Sequence, residues 1–258
     1  MANTVYANSV LEAKFKDLLL SAVNTRNFMT VDTSLTENAG MQKTINTYTY
    51  SGEAEEVAER AGNTKTGSIS CVPANYIVKV VQTKFDYTDE DFMKDPEVVD
   101  KLLKGANQVM VNKMTSDFTG ELKKASLSVT ASKFGYEAIV DGISKLNIED
   151  ESGLFNLYPN DWKAELRKDA DYKSARMGEV IYNGQTGTVC GIPTIPTKAL
   201  TDASFVANKE AVTLFLKKDV EVEQERDADT RVNTVFLRAV YLVALTDATK
   251  VAKVSKSA

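Results

Sequence analysis

The chain has 258 residues, 43% of them hydrophobic and 26% charged, ordinary values for a globular protein of one large or two modest domains. Its net charge of −5 offers no basic footprint for gripping nucleic acid, and the absence of histidine removes the commonest general base and metal ligand. Cys71 and Cys190 stand too far apart for any zinc spacing, and nothing else marks a secreted, disulfide-bonded protein.

The chain opens MANTVYANSVLEAKFKDLLLSAV, an apolar run interrupted by Glu12, Lys14, Lys16 and Asp17. That is neither a signal peptide nor a membrane span, so a protein made and folded in a cytoplasm is expected. Ser9 and Glu12 have capping-box spacing, and Val10, Leu11, Phe15, Leu18, Leu19 and Val23 fall on one face of a helix predicted over 9–23. It reads either as a packed terminal helix or as an arm whose apolar stripe needs another surface.

TINTYTY at 44–50 and NYIVKVVQTKF at 75–85 have strand chemistry. Between them lies SGEAEEVAERAGNTKTGSISCVPA, which carries charge but few large apolar groups. A connection of about 24 residues without a core is uncommon in a compact domain. It is either a floppy loop or an extended hairpin ordered against a neighbouring subunit. In the second case Glu53, Glu55, Glu56, Glu59, Arg60 and Lys65 are the expected intersubunit polar contacts.

A long helix is predicted next, over 96–124, about 43 Å. Asp95 is its expected N-cap and Pro96 its first residue. Val99, Leu102, Leu103, Ala106, Val109, Met110, Met114, Phe118 and Leu122 recur at steps of three and four, so the helix is expected to lie across a sheet on one apolar stripe. Residues 127–200 read as a mixed α/β region, with a helix near 136–147, a strand near 153–158, a turn at Asn183-Gly184 and an irregular exit at Pro193 and Pro196. At the end of the chain Val212, Leu214, Leu216, Val220 and Val222 alternate with charged residues in a half-buried strand. After the turn RDADTR, TVFLRAVYLVAL at 234–245 is apolar on both faces, as a central strand would be. The first and last strands are expected to share a sheet, with Phe236, Val240 and Leu242 meeting the long helix.

Chemistry is hard to find. GQTG at 184–187 lacks the lysine and the helix of a phosphate loop, and no GxSxG or HExxH motif occurs. The acid runs Asp89-Glu90-Asp91, Glu149-Asp150-Glu151 and Asp169/Asp171 read as solvated faces. Lys113, Asp117, Glu121 and Lys124 read as surface pairs on the long helix. Asp161, in YPNDWKAELRKDA, has no nucleophile, base or metal partner nearby, so it is expected only to start a helix that Trp162 anchors. No catalytic, cofactor-binding or metal-binding residue is nominated.

The succession of "YPNDWKAELRKDADYK", "VCGIPTIPT" and "VTLFLKKDVEVEQERDADTRVNTVFLRAVYLVAL" resembles major capsid proteins of tailed bacteriophages of the HK97-like type. The resemblance implies an α+β fold spanning nearly the whole chain. It would divide into an N-terminal arm (1–43), an extended loop hairpin (44–83), a peripheral domain with the spine helix (84–125), an axial domain (126–205) and returning peripheral strands (206–258). It implies a structural role without catalysis: a homo-oligomer of hexamers and pentamers forming an icosahedral or prolate head around double-stranded DNA. Portal, separate scaffolding and decoration proteins would be its partners. The virion capsid, assembled in the host bacterial cytoplasm, would be its location, with no membrane. A net-negative subunit suits that role, since a shell that gripped phosphates would impede packing and ejection. Because the arm begins at Met1, a long fused scaffolding segment is not expected.

Some relatives of this type cross-link a loop lysine to a neighbour's asparagine. Lys65 with Asn233 would be the pair here, but no acid or desolvated site is evident beside it, so no cross-link is expected. Two other readings compete: an encapsulin-like compartment with the same fold, and a soluble α+β enzyme using carboxylates.

Overall fold

The computed structural model describes residues 9–14, 25–37, 39–170 and 187–257. Its elements are α1 (residues 9–14), β1 (Thr30–Asp32), α2 (Ser34–Glu37), β2 (Gln42–Ser51), β3 (Ser68–Ile77), β4 (Lys79–Thr88), α3 (Asp89–Lys94) and α4 (Val98–Leu122). There follow β5 (Leu127–Ala131), α5 (Tyr136–Leu146), β6 (Leu154–Pro159), α6 (Lys163–Lys168), β7 (Thr188–Val189) and β8 (Ile192–Thr197). The chain closes with β9 (Ala203–Asn208), β10 (Val212–Asp227), β11 (Val232–Leu245) and β12 (Val251–Lys256). Residues 15–23 of the expected first helix and the turn at Asn183-Gly184 lie outside the described residues.

Among the described residues three sheets form, ordered β1-β10-β11-β4, β5-β12-β9-β6-β8-β7 and β2-β3. The first joins strands from both ends of the chain, as expected. Strand β12, in the stretch grouped with the returning strands, pairs instead with β5 and β9 in the second sheet.

Helix α4 begins at Val98, two residues later than expected. Asp95 nonetheless works at its entry, since its Oδ1 accepts the Glu97 amide at 3.0 Å and its carbonyl accepts from Val98 N at 3.0 Å. Along the helix Val99, Leu103, Ala106, Met110, Met114, Phe118 and Leu122 are buried. Leu102 is half-buried, and Val109 is exposed on the far side. This stripe lies against Phe85 and Tyr87 of β4, the even residues Leu214, Leu216, Val220 and Val222 of β10, and Val235, Leu237, Ala239, Tyr241 and Val243 of β11. The expected β11 partners Phe236, Val240 and Leu242 are therefore corrected by one register step. Val240 and Leu242 pack on the opposite face with Leu35, Val78, Phe215 and Ala244. Both faces of β11 are apolar, so alternation carried no information on which one meets the helix. In β10 the pairing slips twice, between Leu216/Lys218 and Lys218/Glu221. Two single-residue slips restore the parity, which is why the even positions stay buried on both sides of the bulge.

The core continues into the second sheet through Phe118, whose ring is 6.3 Å from that of Phe155 on β6. On that sheet's other face α5 and α6 cover Leu154, Tyr158, Val206 and Val254. Gly142 permits the approach of α5, because a Cβ there would lie 2.9 Å from Val206 Cγ2 and 3.0 Å from Val254 Cγ2. The Tyr136 amide at the start of α5 donates to Asp169 Oδ2 at 2.6 Å. Trp162 anchors its segment as expected: it is buried, 5.2 Å from Phe134, and Lys256 Nζ lies 4.3 Å over its ring. Asp161, by contrast, makes no side-chain cap. It sits exposed in the 3-10 turn Asn160–Trp162, which leads directly into α6. Pro193 and Pro196 lie inside β8, not in an irregular exit; β7 reaches only Ile192 and Pro193, so among the described residues no strand pairs with Pro196 on that side.

Candidate assembly interface

The run predicted as one strand over 75–85 breaks at Val78. Residues before it pair with β2 and residues after it pair with β11. Val78 is buried, and its amide donates to the Met41 carbonyl at 2.9 Å. The root of the β2–β3 hairpin is thereby fixed to the body. Tyr76 stacks on Phe215 at 4.9 Å, Ile45 packs beside it, and Lys43 pairs with Asp32 and donates to Ser34 Oγ at 2.6 Å. Desolvation opposes ionisation of Asp32, yet the hydrogen bonds from Lys43 and Ser34 hold its carboxyl below the ordinary range.

Beyond the root the hairpin stands clear of the subunit. Its strands run register-paired from Gln42↔Ile77 to Ser51↔Ser68, so residues 68–74, expected in the connection, are strand, and the tip is 52–67. Residues 48–73 are exposed throughout, Glu55 alone being half-buried. The six nominated charged residues all fall in this tip, and part of their charge is used internally. Lys65 pairs with Glu53, and Glu55 accepts from the Thr64 amide at 2.8 Å and the Lys65 amide at 3.2 Å. The Thr64 amide and hydroxyl keep the Glu55 carboxyl below its usual range. Among the described residues Glu56, Glu59 and Arg60 make no ion pair. A two-residue turn at Glu59-Arg60 gives Arg60 a φ of +67°, and the Ala61 amide donates to the Ala58 carbonyl at 3.0 Å. The tip is thus closed on itself by its own hydrogen bonds and one ion pair. Sequence reasoning missed the apolar residues Tyr48, Tyr50, Ile69 and Val72, which are 61–69% exposed along the same hairpin. The signal was there: these are strand formers with no core to receive them.

At the opposite end of the first sheet, the β10–β11 turn is fastened to α3. Arg226 reaches Asp89 at 2.8 Å, Asn233 Nδ2 donates to Asp89 Oδ1 at 2.9 Å, and Arg231 meets Glu90 at 3.2 Å. An acid therefore does lie beside Asn233, which is buried, contrary to the sequence reading of that pair. The bonds from Arg226 and Asn233 hold the Asp89 carboxyl below its usual range, which makes it a poor acceptor for a lysine proton. No Lys65–Asn233 cross-link is expected. Boiling the assembled protein in detergent should give one monomer band, and a covalent ladder that Lys65→Ala removes would overturn this.

Among the described residues no group of three or more His, Cys, Asp or Glu side chains is placed to hold a metal, and no helix is long and apolar enough to cross a membrane. Both cysteines are free.

No family model matches the chain. Its sequence is 28% identical over 238 residues to the major capsid protein of Staphylococcus phage phiMR11, covering 89% of this chain and 85% of that protein. Among solved structures it matches the capsid of a native GTA particle with a TM-score of 0.73 at 13% identity, over 91% of this chain and 90% of that one. It also matches the virus-like particle from Pyrococcus furiosus with a TM-score of 0.68 at 9% identity, over 96% and 98% of the two chains. Two sheets bridged by a long helix, with a projecting hairpin, are thus the HK97-like capsid fold. The resemblance read from the sequence is borne out at this level: the chain has the fold of phage capsid proteins, its sequence is similar to that of a phage major capsid protein, and the proteins it resembles are structural components of capsids.

Proposed function

We propose that copies of the chain assemble as hexamers and pentamers into a closed icosahedral or prolate head that encloses double-stranded DNA without sequence-specific contacts. The observation that carries this reading is the β2–β3 hairpin, a two-stranded sheet exposed on nearly every side chain beyond its root. Isolated two-stranded hairpins are marginal in water, so this one gains stability when a neighbour covers it. Heterologous contacts of that kind close into rings when the rotation between copies allows it. In this reading residues 1–43 act as an arm, 44–83 as the extended loop and 84–125 as the peripheral unit with its spine helix. Residues 126–205 form the axial unit and 206–258 return to the periphery, although β12 is hydrogen-bonded to axial strands. The tip residues Glu53, Glu55, Glu56, Glu59, Arg60 and Lys65 contribute polar contacts to the neighbour. Assembly takes place in the host bacterial cytoplasm, with a portal and separate scaffolding or decoration proteins as partners.

The purified protein should sediment as closed particles of megadalton mass, visible by negative-stain microscopy. A monomer or small oligomer at high concentration would sink the proposal. The fold is shared with a virus-like particle, so the contents of particles formed during infection are the second measurement. Nuclease-protected DNA is expected, and a protein cargo without DNA would favour the compartment reading.

A further inference from the structure

We propose that one face of the hairpin, bearing Tyr48, Tyr50, Ile69, Cys71 and Pro73, is the apolar centre of the contact with a second copy of the chain, and that the charged tip is only its rim. The inference rests on the capsid reading above and adds which side chains do the binding.

Register separates the two faces. Directly paired residues of an antiparallel ladder share a face, and Tyr48↔Cys71, Tyr50↔Ile69 and Asn46↔Pro73 are such pairs. The other face carries Thr49↔Ser70 and Ser51↔Ser68, whose side chains are short and hydroxylic, with Val72 the exception. Apolar surface is therefore concentrated on one side. Tyr48, Tyr50 and Ile69 are 65%, 69% and 69% exposed there. Gly52 and Gly67 extend this face towards the tip, and the Tyr50 ring lies so close to both that a Cβ on either would collide with its hydroxyl. Tyr50 is thus laid flat across the neck of the hairpin, with no bulk beyond it to obstruct an approaching surface.

The charges are the weaker candidates for cohesion. Glu53 with Lys65, and Glu55 with Thr64, are already satisfied inside the tip. Exposed ion pairs contribute about 0–1 kcal/mol, whereas desolvated aromatic anchors dominate interface energetics. Tyrosine suits such a place because its ring is apolar and its hydroxyl can find a partner. The occupant is a second copy because of reach. The eight strand steps from Tyr76 to Ser68 carry the tip about 26 Å from the Tyr76–Phe215 root, and the hairpin does not fold back on its own body. In a shell built from one chain, another copy stands there.

Cys71 sits in the middle of this face and is exposed, so it reports on the contact. In a Cys190→Ser background, maleimide labelling of Cys71 is compared between dilute unassembled subunits and purified particles. Labelling at least tenfold slower in particles is expected. A second arm compares Ile69→Asp, expected to keep a native circular dichroism spectrum yet form no particles, with Glu56→Gln/Glu59→Gln, expected to assemble. Should Ile69→Asp fail to fold, the labelling ratio decides alone. Particles in which Cys71 labels as fast as in free subunits overturn this inference and leave the capsid reading standing. So does protection that appears only when a different protein is added. Failure of the unaltered chain to form particles overturns both.

Discussion

Leu103→Asp is expected to leave no soluble, folded subunit. Leu103 is 1% exposed in the middle of the α4 stripe and packs into the core formed with β4, β10 and β11. Truncating such a side chain to alanine costs about 2–5 kcal/mol, a large share of the roughly 5–15 kcal/mol that holds a domain together. Aspartate removes the same packing and also places a charge among apolar core side chains. The measurement is the soluble fraction after expression, with circular dichroism on whatever remains. A soluble, natively folded Leu103→Asp subunit that merely failed to assemble would make α4 a contact surface and move the core elsewhere. Val109, on the exposed side of the same helix, is the control: Val109→Asp should be tolerated for folding.

Deleting residues 54–68 is expected to do the reverse. The excised segment is exposed except for the half-buried Glu55, has no side chain in any buried cluster, and is separated from the body by the length of the hairpin. The root contacts, Tyr76 on Phe215 and Val78 to Met41, remain intact. The subunit should therefore keep its melting temperature within a few degrees and stay soluble, but form no stable particles on a sizing column or a grid. Normal shells from the deletion variant would defeat the proposed contribution of the tip and leave the apolar face of the hairpin as the whole contact. Together the two variants separate the interaction that folds one subunit from the interaction that joins many, and no single mutation could do so.

Local pattern was enough for most of the elements. The three-and-four spacing from Val99 to Leu122 yields α4, and the even-numbered valines and leucines from Val212 to Val222 yield the buried face of β10. Both are properties of a short stretch repeating at the period of its own secondary structure, so they can be read without knowing the partner. The hairpin was legible as an anomaly for the same reason, strand formers and charge without a core to receive them.

What needed the tertiary structure was every choice between partners. NYIVKVVQTKF looks like one strand, and only the burial of Val78 between two sheets divides it. In β11 both faces are apolar, so its phase against α4 is set by the hairpin root competing for the even positions. The acid beside Asn233 comes from a residue 144 positions away. Asp161 lost its expected cap because Pro159 leads into a 3-10 turn whose amides never meet that carboxylate. The sequence determined which segments had an apolar side to bury; the close-packed interior, which admits only mutually compatible surfaces, decided against what each was buried.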